Sequence, residues 1–148
     1  MAITTNAICN TFKKQLLEGD MEFQFGGDKF KLALYSSAAT LGASTTSYTT
    51  GNEVANPTGQ YSAGGGALVQ PNPSTSLSGS TAICTFNDLS FTGVTITARG
   101  ALIYNSSSAT TNAAVAVLDF VTDKTATAGT FTIQFPAFTS SSAILRIS

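Results

Sequence analysis

The stretch that decides the fold runs from Ile96 to Phe120: ITARGALIYN (96–105), a Ser/Thr/Ala-rich turn, then AAVAVLDF (113–120). It reads as one long antiparallel hairpin. Side chains alternate with period two along a strand. Ile96, Ala98, Gly100, Leu102 and Tyr104 therefore share one face, and Thr97, Arg99, Ala101 and Ile103 the other. A turn centred near Ala109 sets Leu102 opposite Ala116 and Arg99 opposite Asp119, as a cross-strand charge pair. This pair is read as a structural ion pair on a half-buried face; the competing reading is a polar site. The loop from Ser106 to Ala113 is long enough for the register to slip. Ala113 to Val121 is apolar on both faces apart from Asp119, so both faces of the hairpin are expected to be covered. A second sheet would cover one, and an N-terminal helix or a neighbouring subunit the other.

The chain has 148 residues, 43% of them hydrophobic, enough for one domain with a real core. Only 10% are charged, against about 25% in ordinary soluble domains. A surface so poor in charge is weakly protected against association, which favours life inside an assembly. The net charge is −1, with no basic patch, so no nucleic-acid partner is expected. No apolar run reaches the ~20 residues of a membrane span. The start, Met-Ala-Ile-Thr-Thr, lacks the charged and apolar regions of a secretory signal, so synthesis in a cytoplasm is expected. With no histidine and two isolated cysteines, Cys9 and Cys84, no metal site or cofactor is expected. Both cysteines read as small buried hydrophobes; a bridge between them is the alternative.

On the N-terminal side, Thr4 to Gly19 reads as an amphipathic helix or arm, capped by Thr5 or Asn6 and stopped at Gly19. Ile8, Phe12 and Leu16, with Cys9 and Leu17 alongside, recur at helical spacing; Lys13, Lys14 and Glu18 take the solvent side. The helix packs on its own sheet or grips a neighbour. Met21 to Phe25 and Phe30 to Leu34 alternate as two strands around a Gly26-Gly27-Asp28 turn. Residues 36–66 show no period. A long Ser/Thr/Gly-rich loop of ~30 residues is rare in a compact domain unless it has a job. Tyr48 and Tyr61 are its candidate contact residues, or else anchors that pin it to the domain. Gly64-Gly65-Gly66 reads as a flexible turn, since no Lys-Ser/Thr follows to make a phosphate loop.

Further along, Ala67 to Gln70 is a short strand ended by Pro71-Asn72-Pro73, and 74–80 is loop. Ile83 to Phe86 and Leu89 to Phe91 are strands broken by Asn87-Asp88. Thr122 to Gly129 reads as a polar turn, followed by strands at Phe131 to Phe135 and Ala143 to Ile147. Short strands at roughly ten-residue spacing predict a mainly β domain over 1–148: an antiparallel β-sandwich or jelly roll with a short N-terminal α-helix.

No enzyme is expected. A serine nucleophile needs a base, and the absence of histidine removes the usual triad. Asp88, Asp119 and Asp123 show no spacing that asks for a carboxylate pair, and the acids are too scattered to hold calcium.

FKLALYSSAATLGASTTSYTTGNEV (30–54), ITARGALIYN (96–105), AVAVLDF (114–120), DKT (123–125) and FTIQFP (131–136) together resemble a recurrent group of small tailed-bacteriophage virion proteins. The resemblance spans nearly the whole chain. It implies a structural part of the virion, most specifically a head decoration or cement protein. Such a protein would sit on the capsid surface, bound to the major capsid protein and to its own copies as a dimer or trimer. Ile8, Phe12, Leu16, Tyr48 and Tyr61 are the expected interface residues. The alternative is a neck, tail or fibre component, with a receptor- or sugar-binding role for the two tyrosines.

Overall fold

The computed structural model describes residues 3–55 and 59–148. Residues 56–58, inside the long loop, lie outside the described residues. The chain is mainly β, in two antiparallel sheets with one short helix, a sandwich-like arrangement. The elements are β1 (Ala7–Ile8), α1 (Asn10–Leu17), β2 (Phe30–Tyr35), β3 (Gly66–Ala67), β4 (Thr75–Ser78), β5 (Thr81–Cys84), β6 (Leu89–Asn105), β7 (Ala113–Ile133) and β8 (Leu145–Ile147). The larger sheet has the order β1-β7-β6-β2-β3, and the smaller β4-β5-β8.

The hairpin β6–β7 is the spine, and it is longer than its sequence signal. Leu89 to Phe91 belongs to β6, and Thr122 to Gly129 lies within β7 rather than in a turn. Threonines there alternate with Ala126 on a half-buried ribbon, a pattern β-branched residues stabilise. Thr97 and Thr125 hydroxyls bond across the strands at 2.9 Å, and Ser90 and Thr132 at 2.8 Å.

The register is one residue away from the expected one. Leu102 pairs with Val117 and Gly100 with Asp119, and an irregularity between Ile103 and Tyr104 restores Tyr104 to Ala114. The cause lies inside the hairpin: Val115 is an extra residue on β7, between Ala114, opposite Tyr104, and Ala116, opposite Ile103. Buried Asn105 accepts the amides of Ser107 and Ser108 at 3.0 Å each and donates to Asp28 at 2.8 Å. That local turn leaves Asn105 opposite Ala113, a loop centred on Ala109 as expected. Asp28 also accepts the Glu22 amide at 2.9 Å. The Gly26-Gly27-Asp28 turn thus forms, but Met21 to Phe25 is not a strand. Its residues plug the core instead: Met21 is buried, and Phe23 stacks on Phe30 at 4.4 Å.

Both faces of the spine are covered, as its apolar run requires, but by other elements than expected. Phe30, Leu32 and Leu34 share a face with Ile103 and Asn105. Against that face come α1, through Phe12, and the segments holding Phe23 and Phe86, the latter just after β5, in the Phe12–Phe23–Phe30–Phe86 ring contacts. The opposite face, with Tyr35 and Tyr104, is covered by the long loop, Tyr48 stacking on Tyr104 at 4.8 Å.

The N-terminus differs most. Helix α1 begins at Asn10, with Cys9 as N-cap and no side-chain cap bond. Thr5 and Asn6 are not its caps. Residues 7–8 instead add a strand to β7, Ala7 opposite Val117 and Ile8 opposite Ala116. The Asn6 carboxamide accepts the Asp119 amide at 2.6 Å. Ile3 is fully buried, in space left by the missing Cβ of Gly100, where any side chain would meet Ile3 Cδ1 at 2.8 Å. The N-terminal arm therefore packs on its own sheet. Gly19 does end the helix, at φ +76°. An eight-residue helix without a cap, and with Thr11 Oγ1 and Gln15 Oε1 buried but unpartnered, depends on its packing rather than its propensity.

The segment 74–80 also differs from its reading as loop. β4 and β5 form a hairpin across Gly79-Ser80, with Gly79 at φ +62° and Ser78 opposite Thr81. Glycine at the first central position is the chemistry of a two-residue β-turn. The strand expected at Ala67 to Gln70 is only Gly66–Ala67.

Candidate functional site

Two assemblies of side chains stand out: a tyrosine–glutamate network inside the long loop and an apolar groove beside α1.

All four tyrosines converge around Glu53. Tyr48 donates to Glu53 Oε2 at 2.6 Å, and Tyr61 to Oε1 at 2.7 Å. The Gly64 amide donates to the same Oε1 at 2.8 Å. Tyr104 donates to the Gly64 carbonyl at 2.7 Å, and Tyr35 to the Thr49 carbonyl at 2.6 Å. Backbone bonds finish the attachment: Val54 N–H to Leu34 O, Ser36 N–H to Asn52 O, and Tyr48 N–H to Asn112 O. Two isolated bridges, Tyr35 with Glu53 and Ser47 with Ala113, extend the sheet into the loop. Burial is the main cause pushing the four phenols up, Tyr104 to about 12, and the Glu53 charge adds to it. Two hydroxyls and an amide occupy most of the acceptor sites of the Glu53 carboxylate. The network holds structure together; no free nucleophile or base emerges from it.

Tyr48 and Tyr61 are accordingly anchors. Tyr61 is buried, edge-on to Phe91 at 4.9 Å, and its oxygen also accepts the Leu34 amide at 2.8 Å. Neither ring presents the free polar edge that a sugar platform needs. The triple glycine is a close-packed turn rather than a flexible one. Gly64 is buried, and Gly65, at φ +76°, lies so close to Leu32 that a Cβ would overlap the Leu32 carbonyl.

Ile8, Phe12 and Leu16, the helical trio of the sequence, do come together. They line one wall of a groove of about 440 Å³ whose other wall is β5 and β8, through Ile83, Leu145 and Ile147. Phe12 is buried, Leu16 half-buried and Ile8 37% exposed. Leu17, expected beside them, is 90% exposed at the rim, and Ile147 is 57% exposed. The register puts Leu77, Ala82 and Ile147 in one row across the smaller sheet, so Leu77, 70% exposed, prolongs the apolar surface. The only charged residues lining the groove are Lys13 and Arg146.

Arg99 and Asp119 form their ion pair at 3.1 Å despite the shifted register. A wide bulge explains it. Between Ala98–Lys124 and Gly100–Asp119, β6 advances by two residues and β7 by five. Arg99 is thereby left diagonal to Asp119, and the same carboxylate accepts the Val121 amide at 2.8 Å. Asp119 lines an open groove of about 570 Å³ with Asn6, Lys124 and Phe135, but its oxygen is committed to Arg99 and the bulge. Cys9 and Cys84 are both buried free thiols, and burial pushes them to about 11 and about 12. Among the described residues no group of three His, Cys, Asp or Glu side chains could hold a metal ion. No helix there is long and apolar enough to cross a membrane.

Comparison with protein-family models, with curated proteins and with solved structures finds no match.

Proposed function

We propose that this chain is a non-enzymatic structural protein of a tailed-bacteriophage virion. It would serve most specifically as a capsid decoration or cement protein, bracing the head shell through the major capsid protein and its own copies. The observation that supports this reading is the α1 groove. An apolar channel with Leu17 and Ile147 standing free on its rim is costly to leave in water, at ~25 cal/mol per Å². It sits on a chain with only 10% charged residues. Multivalent contact on a shell would turn such a modest patch into firm attachment. The long loop, expected to reach neighbours, is packed on its own hairpin through Tyr48 and Tyr61, whereas the α1 face keeps Leu17 and Ile147 exposed.

The alternative, a neck, tail or fibre component with a sugar- or receptor-binding role, relied on Tyr48 and Tyr61. Both hydroxyls are spent on Glu53, so it keeps no aromatic platform. The test is mass-spectrometric counting of the chain in purified particles, followed by add-back to shells stripped of it. Hundreds of copies and added heat resistance are expected. Six or twelve copies would move it to the neck or tail, and absence from particles would overturn the proposal.

A further inference from the structure

We infer that the open edge of β7 pairs with the same edge of a second copy, making one continuous antiparallel sheet about a two-fold axis through Thr132. The inference deepens the assembly reading above and rests on its claim that the chain meets its own copies. Among the described residues, β1 and its flanks Asn6 and Cys9 hold the outer edge of β7 only from Val115 to Asp119. No backbone bond from another segment reaches the outer edge of 129–135. An unpaired row of N–H and C=O groups is a template for a further strand, so this edge itself calls for an extended backbone. It is also reachable. Residues 130–136 all line the open groove of about 570 Å³. Successive side chains point to opposite faces, so there the groove runs along the edge of the strand.

The sequence along the edge fixes both register and partner. Val121 and Ala128 take positive φ, +71° and +45°, with Lys124 between them. Bulges and lysines are what keep edge strands from pairing. Gly129 to Phe135 has neither, and Pro136 closes it, which leaves a window centred on Thr132. No charged residue lies between Thr125 and Leu145, so a second copy meets no like charge there. Phe135 turns its amide to Asp88 Oδ1 at 2.8 Å, on the β6 side. By strand alternation Thr130, Thr132 and Gln134 turn theirs outward. A two-fold axis through Thr132 sets Thr130 opposite Gln134 and Thr132 opposite itself, so each outward group finds a partner. It also sets Phe131 opposite Ile133, both buried and apolar. The window is complementary to itself, as a two-fold interface must be.

The test is sedimentation of the full chain from micromolar to millimolar concentration, with amide hydrogen exchange alongside. The expected result is a monomer–dimer equilibrium in which the Thr130, Thr132 and Gln134 amides exchange freely in the monomer and slowly in the dimer. Thr132→Lys sets two cations against each other at the axis and raises the dimer dissociation constant at least about tenfold. Its circular dichroism stays unchanged, because Thr132 is exposed. Thr130→Lys with Gln134→Glu in one chain, again at exposed positions, sets a cation opposite an anion twice in this register and tightens the dimer. Leu17→Glu, on the α1 face, leaves it unchanged. A wild-type chain that stays monomeric throughout overturns the inference. So does a dimer that ignores the edge variants or is lost with Leu17→Glu. If the free chain is monomeric but hundreds of copies sit on particles, the inference falls and the proposed function stands. A dimer that responds as expected in a chain absent from particles keeps the inference and removes the function.

Discussion

Replacing Gly65 by alanine would drive a Cβ into the Leu32 carbonyl at a φ of +76°. Neither the turn nor β2 can yield without losing the bonds that close the loop, so a loss of about 3 kcal/mol or more in urea unfolding is expected. Gly42, which meets nothing within 4 Å, is the control and should cost under about 1 kcal/mol as alanine. The tyrosines make a second prediction. Their raised pKa values mean that the folded state holds the neutral phenols. Stability from them is full below the ordinary value of 10.0 and is lost as pH rises through about 12, where Tyr104 titrates. Phenolate absorbance should therefore stay flat until the chain begins to unfold; a free titration near pH 10 in the native protein would contradict the network. Little of this was legible in the sequence. Glu53 is one acid in a run of Ser, Thr and Gly, and no periodicity links it to Tyr35, Tyr48, Tyr61 and Tyr104. Only folding of the loop onto β2 and β6 makes them neighbours.

At the scale of elements, the bulge in β7 carries the strain. Val121 is β-branched, 73% exposed, and sits at φ +71°, a conformation such residues rarely adopt. Val121→Gly should raise stability by about 1 kcal/mol, whereas glycine at Thr132, in the regular ladder opposite Ser90, should lower it by a similar ~1 kcal/mol. Equal losses at the two positions would mean that the bulge stores no strain. Arg99 and Asp119 show how a pairing can be reached by another route: the charges were legible, but the bulge that brings them together was not. The β4–β5 hairpin was legible in principle, since Gly79-Ser80 between TSLS and TAIC is a two-residue turn signal. The residues from Thr4 to Cys9, expected as helix, lie before α1; Ile8 and Phe12, four apart, fit period two as well as period 3.6 over so short a run.

For the whole molecule, the two buried thiols report on cooperativity. Cys9 lies at the start of α1 and Cys84 at the end of β5, the elements that form the two walls of the groove. With both thiol pKa values raised by burial, neither should react with a thiol reagent near pH ~8 in the native chain. Both should appear together on unfolding. Early reaction of Cys9 alone would show α1 detaching before the sheets, which would make the groove a transient feature rather than a formed surface.

The order of apolar and polar residues along 96–120, read with period two, determined a long antiparallel spine buried on both faces. The scarcity of charge, 10% of residues, determined a surface with little electrostatic protection against association. Those are properties of composition and local spacing, and they survive any change of register. Which element covers which face, where β7 bulges, and how four tyrosines meet one carboxylate were decided only in three dimensions. Each depends on contacts between residues tens of positions apart, whose geometry follows from the packing of the core and leaves no mark on neighbouring residues in the chain.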